Sequence, residues 1–162
     1  MPGELIAAFL WAQLEEAQAI GDRRQQAWEH YHQGLADAEH GGLLRRPIIP
    51  RTAATMPTCT TSCCPTISRA MPLAAFAQHD IGAVFHYVPL HDSPAGRRYA
   101  RASGELAVTR RQADRLVRLP LWVGISPAQQ DEVLALVNET IRRLRGEAIR
   151  GPQRRKADRR TR

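Results

Sequence analysis

Two histidines and a tyrosine lie within one short segment of the chain, residues 85–91, which reads FHYVPLH. Imidazole and phenol groups donate and accept hydrogen bonds without a fixed charge, so they suit contacts with the hydroxyl and phosphate oxygens of a ligand. Residues 81–88 are mostly apolar, aromatic or small, with Gly82 near the start and Pro89 directly after the end, which predicts a buried strand. A single histidine at a strand end is usually structural, but the pair of His86 and His91 around Tyr87 favours a wall that faces a ligand.

The three cysteines of the chain, Cys59, Cys63 and Cys64, all lie within residues 52–72. A metal site or a disulfide is the obvious alternative for such a cluster. Their spacing is not that of the paired CxxC ligands of a zinc site, and the nearby histidines have no ligand-like spacing to them. We therefore predict neither a metal site nor a disulfide.

A long amphipathic helix is predicted over residues 1–40, because apolar side chains recur there at steps of three and four. Gly21 weakens this helix without ending it. Trp28 and Tyr31 lie on its apolar face and are predicted to be core residues. The part around residues 8–17 is apolar on more than one face and needs a partner surface.

The other elements are shorter and fall into an α+β arrangement. We divide the chain into a long helix, a linker, an atypical segment, a small domain and a disordered basic tail, at residues 1–40, 41–51, 52–72, 73–145 and 146–162. Within the small domain we predict helices over 74–79 and 109–117, strands over 81–88 and 119–123, a loop over 92–104 and a last helix from 126. Two capping boxes, Thr109 with Gln112 and Ser126 with Gln129, mark helix starts. This order predicts helices packed on a small antiparallel sheet.

The formal net charge of +7 arises in the tail, because residues 142–162 carry ten basic and two acidic side chains. Nucleic-acid binding through this tail is the alternative function, but no aromatic residue lies among the arginines to stack on bases, so this partner is not favoured. The chain has no apolar run of about 18 residues and no basic start before an apolar run. These features predict a cytoplasmic protein with no membrane contact.

Three segments together resemble one enzyme family. HYVPLH at 86–91, ELIAAFLWAQLEEA at 4–17 and RLVRLPL at 115–121 are similar to segments of the sugar-nucleotide aminotransferases, which depend on pyridoxal phosphate (PLP), and 126–137 continues like their last helix. The sequence most resembles the enzymes that convert TDP-4-keto-6-deoxyglucose to TDP-4-amino-4,6-dideoxygalactose. The resemblance implies the small C-terminal domain of the fold type I aminotransferases, present here in incomplete form.

By the same resemblance, the parent enzyme would be a homodimer that moves an amino group from glutamate to a TDP-4-keto-6-deoxyhexose for surface polysaccharides such as lipopolysaccharide antigens. His86, Tyr87 and His91 would then belong to its substrate-binding wall. PLP catalysis needs a lysine that holds the cofactor, whereas the one lysine of this chain is Lys156 in the basic tail. We therefore expect no catalytic residue and no bound PLP in this chain alone.

The chain would accordingly be a fragment, inactive by itself, of a longer enzyme. Its large domain would lie upstream or on a separate polypeptide. A non-functional pseudogene product is a further alternative.

The atypical segment 52–72 reads TAATMPTCTTSCCPTISRAMP, and a loop of about 20 residues is uncommon in a compact domain. A disrupted reading frame explains it. Read one base out of frame, a permitted set of codons from Ala54 to Pro72 yields HNAHMYYLLLPDHLARDA, which resembles a strand of the family. We therefore expect the chain to lack one strand of its sheet, the start of the following helix and a ladder partner of residues 81–88.

Overall fold

The N-terminal helical region consists of three helices in close succession: α1 (Glu4–Glu15), α2 (Ala17–Gly34) and α3 (Ala36–His40). Single-residue breaks at Glu16 and Leu35 separate them. Backbone hydrogen bonds cross both breaks, from Ile20 N to Glu16 O at 2.9 Å and from Leu35 N to Tyr31 O at 3.0 Å. The predicted long helix is therefore present with two irregularities, and Gly21 lies within α2 without ending it, as predicted.

The computed structural model describes residues 3–50, 60–63 and 68–150, with the backbone alone for 60–63 and 147–150. After α3 come β1 (Thr60–Cys63), α4 (Ala70–Ala77), β2 (Val84–Phe85), a 3₁₀ turn (Leu90–Asp92), α5 (Pro94–Tyr99), α6 (Ala107–Ala113), β3 (Leu116–Leu119) and α7 (Pro127–Arg150). Among the described helices, none is long and apolar enough to cross a lipid bilayer.

The sheet is antiparallel, with β3 between β1 and β2. The strand predicted over 119–123 begins earlier and ends at Leu119, because Pro120 follows and a proline cannot donate to a ladder. The strand predicted over 81–88 contains only the two residues of β2, which pair with Arg118 and Val117. The α+β prediction with a small antiparallel sheet is confirmed.

Strand β1 lies inside the atypical segment 52–72, where we expected the sheet to lack a strand. Its four residues pair with the whole of β3, from Thr60 opposite Leu119 to Cys63 opposite Leu116. The prediction that the sheet lacks a strand here is therefore wrong, since the ladder uses backbone groups and threonine favours extended structure. Residues 51–59 and 64–67, with Cys59 and Cys64, lie outside the described part of the chain.

Of the two predicted capping boxes, the one at Thr109 is wrong and the one at Ser126 is confirmed. Helix α6 begins two residues before Thr109, after Leu106 at φ 45°, and no side chain caps it. At α7, by contrast, Ser126 Oγ accepts a hydrogen bond from Gln129 N at 3.2 Å, and Gln129 Oε1 accepts one from Ser126 N at 3.0 Å. The Ser126 capping box is confirmed.

Two further helix boundaries differ from the prediction. Helix α4 begins at Ala70 instead of 74, with Pro72 in its first turn, where a missing N–H costs nothing. Helix α7 continues to Arg150, so residues 146–150 of the predicted tail are helical.

The core lies where α7 meets α2, α4 and the inner face of β3. Its buried side chains come from all these elements: Ala27, Tyr31, Leu35, Ala38, Leu44, Phe76, Val117, Leu119, Ile125, Val133, Leu134, Val137, Ile141 and Leu144. Trp28 is also buried, so both aromatic core predictions in α2 are confirmed.

Helices α2 and α7 are held together by specific polar and steric contacts. The buried Gln130 side chain donates to Ala27 O at 2.7 Å. His30 Nε2 lies 2.7 Å from Asp131 Oδ1. A Cβ at Gly34 would lie 2.4 Å from a methyl carbon of Leu134, so a glycine at this position allows the two helices to approach closely.

Candidate functional site

The segment that carries His86, Tyr87 and His91 lies on the surface of the described structure. Val84 and Phe85 are about half exposed, and Tyr87 is 74% exposed. The prediction of a buried strand is therefore wrong. The position of β2 explains this, because among the described residues it pairs with β3 alone and forms an edge of the sheet.

His86 and Tyr87 form one contact pair. Their rings meet edge to face, with centroids 4.9 Å apart and an interplanar angle of 66°. Both residues are exposed, so the imidazole and the phenol are available to a ligand. Such groups can donate to and accept from sugar hydroxyls and phosphate oxygens.

His91 is placed differently from this pair. Its side chain is 13% exposed, and its Nε2 lies 3.4 Å from Asp92 Oδ2. That nitrogen is buried and has no hydrogen-bond partner among the described residues. The structure thus brings together two of the three predicted residues and turns the third toward Asp92.

Asp92 was not predicted as a site residue, yet it joins three elements. Arg110 donates to it twice, from Nε to Oδ2 at 2.9 Å and from Nη2 to Oδ1 at 3.0 Å, and Arg97 Nη2 lies 3.3 Å from Oδ1. Chiefly because of the Arg110 hydrogen bond, the pKa of Asp92 is lowered to about 2. The carboxylate is therefore ionised at neutral pH and links the 3₁₀ turn to α5 and α6.

The segment after His91 was predicted as a loop over 92–104, but it contains α5. Ser93 caps this helix by accepting from Gly96 N at 2.9 Å, and Ser93 Oγ donates to Leu90 O at 2.8 Å. A Cβ at Gly96 would lie 1.7 Å from Leu90 O, so a side chain there is excluded. The sequence does contain the signal for this helix, a serine followed by Pro94 at the first helical position.

None of the residues that the structure describes is a lysine, the residue type that holds PLP as a Schiff base. Lys156 lies outside the described part of the chain. In the described ranges, no group of three or more histidine, cysteine or carboxylate side chains is arranged to hold a metal ion.

Helix α1 presents a second surface with functional potential. Six large apolar side chains, which we call the α1 face, are each more than half exposed: Leu5, Ile6, Phe9, Leu10, Trp11 and Leu14. No residue of α1 is buried. An apolar patch of this kind usually marks an interaction surface, in agreement with the predicted need for a partner here.

Residues 3–138 match the DegT/DnrJ/EryC1/StrS aminotransferase family. Among solved structures, DesV of S. venezuelae in complex with a ketimine intermediate is 25% identical with a TM-score of 0.73, over 83% of this chain and 35% of that chain. DesI in the presence of its TDP-sugar product is 18% identical with a TM-score of 0.71, over 85% of this chain and 35% of that chain. The PLP form of Spr1654 from Streptococcus pneumoniae is 18% identical with a TM-score of 0.70, over 83% of this chain and 34% of that chain. The chain thus spans about a third of the length of the proteins it is similar to.

Proposed function

Because the chain belongs to the DegT/DnrJ/EryC1/StrS aminotransferase family, we propose that it forms the C-terminal part of a cytoplasmic enzyme that transfers an amino group from glutamate to a TDP-4-keto-6-deoxyhexose. The family is PLP-dependent. The fold is that of the small domain of the fold type I aminotransferases, and it is incomplete relative to them. The product would be an amino sugar nucleotide for surface polysaccharides.

The family match over residues 3–138 is the observation that carries this proposal. It includes α1, the sheet and the first half of α7, so it extends across nearly all of the described structure. Support for aminotransfer chemistry comes from DesV, which was captured with a ketimine intermediate. The choice of a TDP-4-keto sugar rests on the likeness of the HYVPLH segment to one group within the family.

We assign His86, Tyr87 and His91 to the wall of the sugar-nucleotide site. The contact between the His86 and Tyr87 rings and their exposure support this role, since each ring keeps polar atoms free for sugar hydroxyls. For His91, this role would require the side chain to rotate away from Asp92, since its Nε2 is buried in the described structure. All three would bind and orient substrate, and none would carry the amino group.

PLP and its lysine would come from another part of the enzyme, since the described residues contain no lysine. When bound, PLP would supply the carrier for the amino group that moves from glutamate to the keto sugar. The α1 face would pack against that lysine-bearing large domain, whether or not the domain is joined to this chain. Such packing would bury six apolar side chains that the described structure leaves exposed. We further propose that the assembled enzyme is a homodimer.

An assay of 2-oxoglutarate formation tests this function. The purified chain with PLP, glutamate and TDP-4-keto-6-deoxyglucose is expected to be inactive, and activity should appear when a polypeptide with the lysine-bearing large domain is added. Activity of the chain alone would refute its role as an incomplete part. A stable complex without amino transfer would refute the proposed reaction.

For residues 52–72 we retain the proposal of a disrupted reading frame. Strand β1 forms from Thr60–Cys63, so an out-of-frame segment would here still supply a ladder partner for β3. Resequencing of the genomic region tests the proposal. An uninterrupted frame in independent reads would refute it, whereas one base more or fewer near the codons of Pro72 would support it.

A further inference from the structure

A cleft of about 470 Å³ lies between residues 88–92 and helix α6. Its charged lining consists of Arg69, Asp92, Arg110, Arg111 and Asp114, and its apolar lining comes from valine, proline and alanine side chains. Sites for small molecules commonly have volumes of about 300–1,000 Å³. The cleft is therefore large enough for a small anionic group and part of the molecule that carries it.

The guanidinium groups of the cleft keep unused donors. Arg110 bonds Asp92 through Nε and Nη2, which leaves its Nη1 free of that pair. Arg69 donates to Ala113 O and lies 5.1 Å from the centre of the Phe85 ring, so its position is fixed by neighbours. Arg111 is exposed, and its guanidinium forms no ion pair or hydrogen bond with the residues that the structure describes.

The chain segment that supplies most of the lining is also basic. Residues 92–118 contain seven arginines against three acidic residues. One of these acids, Asp92, is already bonded by two arginines. An excess of one sign of charge around a cleft raises the local concentration of oppositely charged ligands.

We propose that this cleft binds the phosphate group of a phosphorylated ligand, with Arg111 as the main contact and Arg69 and Arg110 as further donors. The planar guanidinium matches phosphate oxygens in pairs and forms strong, charge-assisted hydrogen bonds with them. His86 and Tyr87 do not line this cleft, whereas the next two residues, Val88 and Pro89, do. Only the identity of the ligand as a sugar nucleotide rests on the proposed function, because phosphate binding itself needs no PLP and no large domain.

Calorimetric titration of the full chain with inorganic phosphate and with thymidine diphosphate, at constant ionic strength, tests this proposal. Arg111→Gln should weaken binding by about tenfold or more, since a hydrogen bond to a charged group is lost. Arg101→Gln is the matched control, because it removes the same charge from the same basic segment but does not line the cleft. It should change affinity by less than about twofold. Circular dichroism checks that both variants keep their fold.

Equal losses in the two variants would overturn the proposal, since binding would then follow overall charge. Absence of binding by both ligands to the unchanged chain would overturn it as well. Tighter binding of thymidine diphosphate than of phosphate, dependent on Arg111, would support the site and connect it with the sugar nucleotide. Binding of phosphate alone, equally dependent on Arg111, would support the site and leave the transaminase function to its own assay.

Discussion

Arg110 holds Asp92 through two parallel hydrogen bonds, Nε to Oδ2 at 2.9 Å and Nη2 to Oδ1 at 3.0 Å. The two residues are 18 positions apart, so this pair joins α6 to the 3₁₀ turn that ends the HYVPLH segment. A two-point contact sets orientation as well as distance. The placement of His91, beside Asp92, therefore depends on a helix that carries none of the predicted substrate residues.

The Asp92 pairs should make the 3₁₀ turn and α5 sensitive to acid. The pKa of Asp92 is lowered from 3.8 to about 2, so its contribution to folded structure is complete above pH 4 and is lost as the pH falls toward 2. Amide exchange of residues 90–99, corrected for intrinsic rates, should accelerate over this range more than exchange in α7. Asp92→Asn should already exchange fast at pH 5 and show little further change. The same acid response in both proteins would contradict this assignment.

Gly96→Ala should disrupt the turn around Asp92. The new Cβ would lie 1.7 Å from Leu90 O, a backbone atom that cannot rotate away. We expect a loss of about 1–3 kcal/mol in the free energy of unfolding, as for overpacked sites, or local opening of residues 90–99. Gly82→Ala is the control, because no atom lies within 4 Å of its added Cβ, and it should be neutral or slightly stabilising. Urea unfolding and limited proteolysis measure both effects.

Two serine or threonine positions with the same capping pattern should behave differently. Ser126→Ala removes a cap that bonds Gln129 N, and it should cost about 0.5–2 kcal/mol. Thr109→Ala should change stability by less than about 0.5 kcal/mol, because Thr109 is exposed within α6 and caps nothing. The urea concentrations at which the two variants are half unfolded, each compared with that of the unchanged chain, measure these losses. A larger loss at Thr109 would show that α6 begins at the predicted cap.

Ser126 and Thr109 also show what a sequence can predict. The last helix was predicted from residue 126 and is present as α7, and the apolar side chains at its three- and four-residue steps are buried: Val133, Leu134, Val137, Ile141 and Leu144. A helical period depends on neighbours three and four positions away, so it is visible in the sequence itself. The Ser126 cap is equally local. At Thr109 the same pattern fails because the helix had already begun after Leu106.

The burial of side chains and the pairing of residues far apart in the chain could not be predicted from local patterns. The apolar residues 81–88 indicated a buried strand, but Val84, Phe85 and Tyr87 are exposed, because apolar composition does not tell which partner covers them. The Asp92–Arg110 pair joins two elements whose contact no local pattern reveals. The sequence could therefore suggest His86 and Tyr87 as candidate residues, but it could not reveal which residues set the position of His91.

The α1 face yields the sharpest test of the proposed assembly. Phe9 and Trp11 are 70% and 66% exposed, so Phe9→Glu and Trp11→Glu should leave the stability of the chain within about 0.5 kcal/mol of its original value. In the assembled enzyme each would replace a buried ring, whose burial contributes about 1.5–3 kcal/mol. Each should therefore raise the chain concentration that half-restores transaminase activity to the large domain by about tenfold or more.

Gln13→Glu is the matched control for that experiment, since it adds the same charge to an exposed polar position of α1. It should restore activity as the unchanged chain does. If Phe9→Glu and Trp11→Glu also restored full activity at the original concentration, the α1 face would not be the contact with the large domain. An equal defect in Gln13→Glu would mean that α1 responds to added charge anywhere along it, and the apolar face would again lose its assigned role.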